Sequence, residues 1–127
     1  MMNAPFHMPA ELVIQLPLGP SSNNMFATVG KKRIRTVEYK AWAMEAGYIL
    51  NLQRPPLMAG KVSLLIEVEE PKTARRTDIG NKEKAVTDLL VSHRVIQGDD
   101  QRFVRQITLR WADVAGVRVT VMPWVIQ

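Results

Sequence analysis

Acidic, basic and amide side chains are concentrated between Arg75 and Asp100, and they are of the types that process phosphate esters. Asp78 follows a basic loop, and Asp99 comes directly after a turn residue, Gly98. Carboxylate oxygens can hold a hard divalent cation, which activates a bound water. Lysine can neutralise charge that develops during phosphoryl chemistry, and arginine binds phosphates in a bidentate manner. The segment therefore predicts chemistry on a phosphodiester.

Simpler explanations exist for each of these residues taken alone. Asn81, Lys84 and Asp88 are spaced three and four residues apart, which places them on one face of a predicted helix. On that face Lys84 and Asp88 could form an ordinary surface pair, which contributes little to stability. Asp78 could be an acid that the helix dipole favours, and Asp99–Asp100 could be an ordinary turn. Spacing alone leaves these alternatives open.

Composition restricts the classes of function. The 127 residues include 17 lysines and arginines against 12 acids, for a net charge of +5, and this balance weakly favours a polyanionic partner. Cysteine is absent, which excludes disulfides and thiolate metal sites and makes the cytoplasm the default compartment. A bound metal would need oxygen ligands or the two histidines, and oxygen ligands suit Mg²⁺, with Mn²⁺ as the alternative. No apolar run is long enough to span a membrane.

The first half of the chain must supply the scaffold on which this segment lies. We expect a loose leader over Met1–Ala10 without the pattern of a secretory signal. Turn-forming residues fill Gly19–Asn24, and a short hairpin is predicted to turn near Gly30. The remaining predicted elements are a strand over Glu11–Leu16 and a helix that Thr36 caps and Arg54–Pro56 ends. The apolar stripe of that helix is predicted to be Val37, Ala41, Met44 and Tyr48, flanked by Trp42 and Ile49.

The second half alternates strands with one further helix. Alternating apolar residues predict a strand from Lys61 to Glu69. A second helix is predicted from Asp78 to Ser92, with Thr77 as a candidate cap. Its predicted buried stripe consists of Ile79, Val86, Leu89 and Leu90. The alternating segments Phe103–Trp111 and Val117–Val121 are predicted to pair with each other as a hairpin across the turn at Asp113–Gly116.

This order of elements predicts one α+β domain over residues 11–127. Two main helices are expected on one face of a small mixed β-sheet.

The motifs, taken in order, are similar to those of a known family. Pro20–Asn24 is similar to a proline-serine-asparagine-asparagine loop, and Arg75–Lys84 resembles an Asp-x-Asp-Asn-x-x-Lys segment. Asp88 and then Ile96–Asp100 are similar to paired acids that precede a strand. Over roughly Leu12 to Met122 the chain thus resembles the RusA family, the Holliday-junction resolvases of bacteria and their phages.

The resemblance implies a magnesium-dependent endodeoxyribonuclease that acts as a homodimer and cuts four-way DNA junctions in recombination and repair. Asp78, Lys84 and Asp100 would be the catalytic residues. Asp78 and Asp100, with Asp99 assisting, would hold the metal. The second metal-site aspartate of the family falls on Gly80 in this chain. The predicted DNA contacts are Asn23, Asn24, Lys31, Lys32, Arg33, Arg35, Lys72, Arg75 and Arg76.

Two alternatives to an active resolvase remain. The first is a junction-binding homologue whose cleavage is lost or weakened because Gly80 has no carboxylate; Glu83, Glu67 or Glu69 are the acids that could replace it. The second is a small basic nucleic-acid-binding module with unrelated chemistry. Equal affinity for linear duplex and four-way junction would favour the latter.

Overall fold

The computed structural model describes residues 11–73 and 76–125. The predictions of a leader over Met1–Ala10 and of a DNA contact at Arg75 lie outside the described residues. The elements, in chain order, are β1 (Leu12–Leu16), a 3₁₀ turn (Ser22–Asn24), β2 (Phe26–Val29), β3 (Lys32–Arg35), α1 (Val37–Leu52), β4 (Val62–Glu69), a second 3₁₀ turn (Ile79–Lys82), α2 (Glu83–Ser92), β5 (Val104–Ala112) and β6 (Val117–Pro123).

The main sheet has four strands in the order β1-β6-β4-β5. The β4 strand is parallel to β5 and antiparallel to β6, and β6 is antiparallel to β1. The sheet is therefore mixed, and the predicted α+β class is confirmed. Among residues 11–73 and 76–125, no helix is long and apolar enough to cross a membrane.

The predicted hairpin between β5 and β6 is wrong, because β4 lies between these two strands. The connection between them carries the chain past the end of β4. There the amide of Glu69 donates to the Gly116 carbonyl at 2.8 Å, and the Gly116 amide donates to the Glu69 carboxylate at 2.8 Å. Gly116 has a φ of +67°, and a methyl group on it would collide with the Leu16 carbonyl oxygen. A four-residue connector of this shape spans one intervening strand instead of folding back on β5.

Both helices contribute to one core on one face of the main sheet. Alternate residues of β4 and β6 are buried there, as the period of two requires. The cluster contains, among others, Ile14, Leu16, Tyr39, Trp42, Ala46, Leu50, Val62, Leu64, Ile66, Val68, Val86, Leu89, Leu90, Val117, Val119 and Val121.

The face of α1 that packs on the core differs from the predicted one. The buried residues of α1 are Tyr39, Trp42, Ala46, Gly47 and Leu50. The predicted stripe instead faces solvent, since Val37, Met44 and Tyr48 are 78%, 79% and 60% exposed. Two apolar stripes of equal spacing occur on this helix, so periodicity alone cannot choose between them. The choice is fixed by tertiary contacts such as the Trp42 indole nitrogen, which donates to the Pro17 carbonyl at 2.9 Å.

The predicted start of the second helix is also wrong. Residues Ile79–Lys82 form a 3₁₀ turn, and α2 begins at Glu83. The turn contains Gly80, a residue that disfavours α-helix by about 1 kcal/mol relative to alanine. Thr77 caps neither element, because the N-cap positions are Asp78 and Lys82. The predicted buried residues of α2 itself, Val86, Leu89 and Leu90, are confirmed.

A separate two-stranded hairpin precedes α1. The antiparallel β2 and β3 strands turn at Gly30, whose φ of +63° matches the predicted turn. Thr36 follows at the N-cap of α1 and accepts a hydrogen bond from the Tyr39 amide at 3.1 Å, as the sequence predicted. The Thr36 hydroxyl also donates to the Asn24 carbonyl at 2.6 Å, which ties the asparagine loop to the start of α1.

Candidate functional site

The asparagine loop and the segment around Asp78 form two walls of one polar groove. The Ser22 hydroxyl donates to the Asn81 side-chain oxygen at 3.2 Å and joins the two walls. Within the loop, the Asn24 amide donates to the Ser21 carbonyl at 2.9 Å, which closes the 3₁₀ turn. We name this feature the Asp78 groove; its volume is about 770 Å³, and it is lined by Gly19, Pro20, Ser21, Asn23, Asn24, Arg76, Thr77, Asp78, Asn81 and Lys82.

Asp78 lies at the entrance of the second 3₁₀ turn with extended backbone geometry. Its carbonyl accepts a hydrogen bond from the Asn81 amide at 3.2 Å, which holds the turn. Its side chain makes no capping hydrogen bond to that turn, and the residue is exposed. The Asp78 carboxylate is therefore accessible from the groove, next to the cations Arg76 and Lys82.

Lys84 is the centre of a small charge cluster beside this groove. Its ammonium lies 3.1 Å from an oxygen of Asp88 and 3.5 Å from an oxygen of Asp99. The hydrogen bond that Lys84 donates to Asp88 is the largest cause that raises the pKa of Lys84, and Asp99 adds to it. The predicted shared face of Lys84 and Asp88 is confirmed by this contact. Lys84 is therefore a fixed cation at neutral pH.

Glu83 begins α2 beside the same cluster. Burial is the largest cause that raises its pKa, and the negative charges of Asp88 and Asp99 act in the same direction. Lys84 partly opposes these effects. The pKa of Glu83 is thus raised mainly because burial disfavours the charged carboxylate.

Asp99 and Asp100 are neighbours in sequence but have different partners. Asp100 accepts hydrogen bonds from the Arg102 guanidinium at 3.0 and 2.9 Å and from the Arg102 backbone amide at 2.9 Å. The Arg102 side chain is the first cause that lowers the pKa of Asp100. Asp99 instead contacts Lys84. The two acids are therefore neutralised by different cations.

Comparison with known families finds a match that covers most of the chain. The sequence model of the family described as Endodeoxyribonuclease RusA matches residues 16–122, most of the 127-residue chain. The chain belongs to the RusA family. Membership in the RusA family implies a Holliday-junction resolvase role, with junction DNA as the partner and endodeoxyribonuclease activity. No curated protein matches the chain.

The acids of this RusA-family chain do not form the three-carboxylate set that the resemblance implies for a metal. Among residues 11–73 and 76–125, no group of three or more histidine, aspartate or glutamate side chains is placed so that it could hold a metal ion. Gly80 offers no side chain at the position of the second family aspartate. The oxygen donors suit magnesium in type, but their present arrangement does not fit it in number.

The acids suggested as replacements for the missing carboxylate have other partners. Glu67 is buried on β4 and is bound by Arg110 and Arg118, each at 2.8 Å. Glu69 accepts the hydrogen bond from the Gly116 amide. Neither acid is therefore available to the Asp78 groove. Glu83 is the one of the three suggested acids that lies next to the Lys84 cluster.

The predicted DNA contacts fall into separate regions of this RusA-family chain. Asn23, Asn24 and Arg76 line the Asp78 groove. Lys72 lines a different pocket, with Glu70 and Asp113. The basic residues of the hairpin, Lys31, Lys32, Arg33 and Arg35, are all exposed. The guanidinium of Arg33 lies 4.4 Å from the centre of the Phe26 ring, and that of Arg35 lies 5.3 Å from the centre of the Tyr39 ring.

The sequence analysis missed two polar residues of the groove, one cation and one hydroxyl donor. Lys82 lines it directly, and Ser22 joins its walls, yet neither was among the predicted contacts. A signal for Lys82 was present, because it follows Asp78 by four residues. The signal for Ser22 was its place inside the asparagine loop, but its partner Asn81 lies 59 residues away and cannot be found from local pattern.

Proposed function

We propose that this protein recognises four-way DNA junctions through the Asp78 groove and acts on them as a structure-specific endodeoxyribonuclease in recombination and repair. The observation that carries the proposal is the hydrogen bond between Ser22 and Asn81, which joins the asparagine loop and the Asp78 segment into one groove. These two motifs also carry the resemblance to the RusA family. Family membership supports the substrate class.

Each group of the site has a role that its chemistry supports. Arg76 and Lys82 supply positive charge on the groove wall and would bind phosphates of the DNA backbone. The side-chain amides of Asn23 and Asn24 would position the backbone without reading the sequence. Lys84 stays protonated at neutral pH and would neutralise charge that develops on the phosphoryl oxygens.

Magnesium, or manganese in its place, is the cation that we propose for cleavage. We assign it to Asp78 and Asp100, with Asp99 assisting, because carboxylate oxygens are the donors that these ions prefer. When bound, such an ion supplies an activated water and polarises the phosphoryl group. Because the described acids do not form a complete set of donors, we derive no step of the reaction through the metal.

A second candidate function is junction binding with cleavage that is lost or weakened. Gly80 and the separate partners of Asp99 and Asp100 favour it, because each removes a carboxylate from a shared metal site. A missing metal-site carboxylate does not affect the groove or its cations. Junction recognition is therefore common to both candidates. Cleavage alone distinguishes them, and the variant Gly80→Asp provides the comparison.

Two further properties are proposed from the family resemblance. A homodimer suits a four-way junction, since a two-fold symmetric substrate needs two matched cuts. The cytoplasm is the compartment in which a bacterial or phage enzyme would meet such DNA.

Binding of a fixed four-way junction and of a linear duplex of the same sequence tests the recognition step. We expect the native protein to prefer the junction, and we expect Arg76→Ala and Lys82→Ala each to lower junction affinity about tenfold and the salt-dependence slope by about one. Lys61→Ala is the matched control, because Lys61 is exposed and lies outside the groove. A chelator in the buffer removes divalent cations, so the DNA is not cut and the measurement reports binding alone.

Two outcomes would contradict the recognition proposal. One is equal affinity of the native protein for the junction and the linear duplex. The other is equal losses for Lys61→Ala and for the two groove variants, since binding would then depend on net charge and not on the groove.

A further inference from the structure

The hairpin of β2 and β3 carries its basic side chains on two different faces. In an antiparallel pair, directly opposed residues lie on the same face, and neighbours along a strand lie on opposite faces. The register pairs Arg35 with Phe26 and Arg33 with Thr28, which places all four on one face. We name these four residues the arginine face. Lys32 lies on the opposite face, so the structure separates cations that are adjacent in the sequence.

Each arginine of this face lies over an aromatic ring. The guanidinium carbon of Arg33 is 4.4 Å from the centre of the Phe26 ring, and that of Arg35 is 5.3 Å from the centre of the Tyr39 ring. The two rings pack edge to face with centres 5.7 Å apart, and Tyr39 is buried in the core. A guanidinium that a ring already holds in place loses less conformational freedom when it binds a phosphate. The rings therefore preorganise both arginines.

The charge of these two arginines is available to an outside anion. In the part of the chain that the structure describes, neither guanidinium forms an ion pair with an acid. The main sheet differs, because Arg110 and Arg118 are both bound by Glu67. Positive charge that no internal acid neutralises favours a polyanionic partner.

The hairpin begins and ends at the Asp78 groove. Asn24 lines the groove two residues before β2, and Thr36, which follows β3, donates to the Asn24 carbonyl. Four residues of strand extend roughly 13 Å, so the turn at Gly30 is that far from these ends. Arg35 is the last residue of β3 and lies nearest to the groove. The arginine face therefore starts at the groove and continues beyond it.

Arg35 also lies close to the Lys84 cluster. Burial is the largest cause that raises the pKa of Tyr39, Asp88 raises it further, and Arg35 and Lys84 lower it. Charges of α2 and of the hairpin thus act on the same hydroxyl group. Lys84, Arg35 and Arg33 form a series of cations that leads from the groove along the hairpin.

We propose that the arginine face binds the phosphate backbone of one duplex arm of the junction, beyond the phosphates held in the Asp78 groove. Same-face residues of a strand are about 6.8 Å apart, and phosphates recur about every 3.4 Å of axis along each DNA strand. Arg33 and Arg35 can therefore bind separate phosphates. The proposal rests on the proposed function for the identity of the DNA, while its geometry rests on the hairpin.

Equilibrium binding to a fixed four-way junction, in the presence of a chelator, tests this surface. Arg33→Ala and Arg35→Ala are each expected to lower affinity about threefold to tenfold and the salt-dependence slope by about one, because each removes a phosphate contact. Lys32→Ala is the matched control, since it removes the same charge from the opposite face of the same strand. All three residues are exposed, so thermal unfolding should be nearly unchanged.

Lysine variants separate the geometry of the contact from its charge. Lysine keeps the charge but lacks the planar fork that stacks on a ring and binds phosphate in a bidentate manner. Arg33→Lys and Arg35→Lys are therefore each expected to lower junction affinity about threefold although the net charge is unchanged. Native affinity in both lysine variants would overturn the ring-backed contact.

Ethylation interference locates the contact on the DNA. The native protein is expected to show a group of sensitive phosphates on one arm, outside those at the cutting position. The double variant of Arg33→Ala and Arg35→Ala should lose the outer group and keep the inner one. An unchanged pattern in the double variant overturns the proposal.

The remaining outcomes distinguish this surface from the proposed function. Equal losses for Lys32→Ala and for the two arginine variants overturn the surface, since binding would then follow net charge alone. Junction preference that persists without any effect of Arg33→Ala or Arg35→Ala overturns it as well. A native protein that lacks junction preference, yet loses DNA affinity only in the arginine variants, would contradict the proposed function and support the surface.

Discussion

Gly80 is the residue on which, in the proposed function, cutting by the Asp78 groove depends. A side chain placed at Gly80 would meet no heavy atom within 4 Å, and the backbone there does not require a positive φ. The position therefore has room for the aspartate that the family resemblance places there. The described acids do not form a set of three or more that could hold a metal ion.

We predict that Gly80→Asp increases junction nicking in Mg²⁺ by about tenfold or more, because a restored metal contact changes affinity or activity by this order. Gly80→Asn is the control of nearly equal size without the charge. Initial nicking rates on one fixed junction give the comparison, and manganese binding measured by calorimetry gives a readout that does not depend on cleavage. An equal effect of aspartate and asparagine would show that the gain does not come from a carboxylate.

Among single residues, contacts between neighbours on one helix were predictable from the sequence. Contacts that depend on the turn before β5 were not. Lys84 and Asp88 pair because a helix places residues four apart on one side, and this relation was predictable. The different partners of Asp99 and Asp100 were not predictable, because they depend on the turn that places Arg102 against Asp100. Catalytic roles for these acids stay predictions until they are tested.

Across the central strands, a buried carboxylate connects three elements. Glu67 of β4 accepts hydrogen bonds from Arg110 of β5 and Arg118 of β6. Hydrogen bonds from Arg118, and then from Arg110, lower the pKa of Glu67 from 4.5 to about 2. Glu67 is 3% exposed, so loss of its charge would leave two arginines without their partner in the sheet.

The contribution of Glu67 to stability should therefore depend on pH. Its pKa is lower in the folded chain, so the contribution is fully present above about pH 4.5 and is lost as the pH falls toward about 2. We predict that Glu67→Gln lowers the free energy of unfolding at pH 7 by about 1–2 kcal/mol, a charged hydrogen-bond value reduced because both arginines are partly exposed to water.

Urea unfolding from pH 7 to pH 2 measures this dependence. The difference between the native chain and Glu67→Gln should shrink through this range. Glu70→Gln, which removes an exposed charge just beyond the end of the same strand, is the control and should show little difference at any pH. A constant difference for Glu67→Gln at all pH values would mean that its charge does not stabilise the sheet.

The positions of the helices and strands along the chain were easier to predict than the way these elements pack and pair. The strands, the hairpin at Gly30, the cap at Thr36 and the core of α2 follow from local periodicity and turn chemistry, and all are confirmed. The buried face of α1 was predicted wrongly because both faces carry apolar residues at helical spacing. The pairing of β5 with β6 was predicted wrongly because the insertion of β4 between these two strands is a long-range relation.

For the whole molecule, the fold brings two distant motifs to one end of α1. The asparagine loop precedes α1, and the Asp78 segment follows β4, yet one hydrogen bond joins them across 59 residues. The α+β class could be predicted from the sequence, and the role of the polar segment in chemistry stays a prediction. The groove itself could not, since it exists only after the sheet has placed both segments on the same side.

Cleavage of a fixed four-way junction by the native protein in Mg²⁺ tests the central claim most directly. Linear duplex of the same sequence and the variant Asp78→Ala are measured alongside it. We predict paired nicks in two opposite strands of the junction, little cutting of the duplex, and loss of nicking in Asp78→Ala. Equal cutting of duplex and junction, or junction nicking that Asp78→Ala leaves unchanged, would contradict the account.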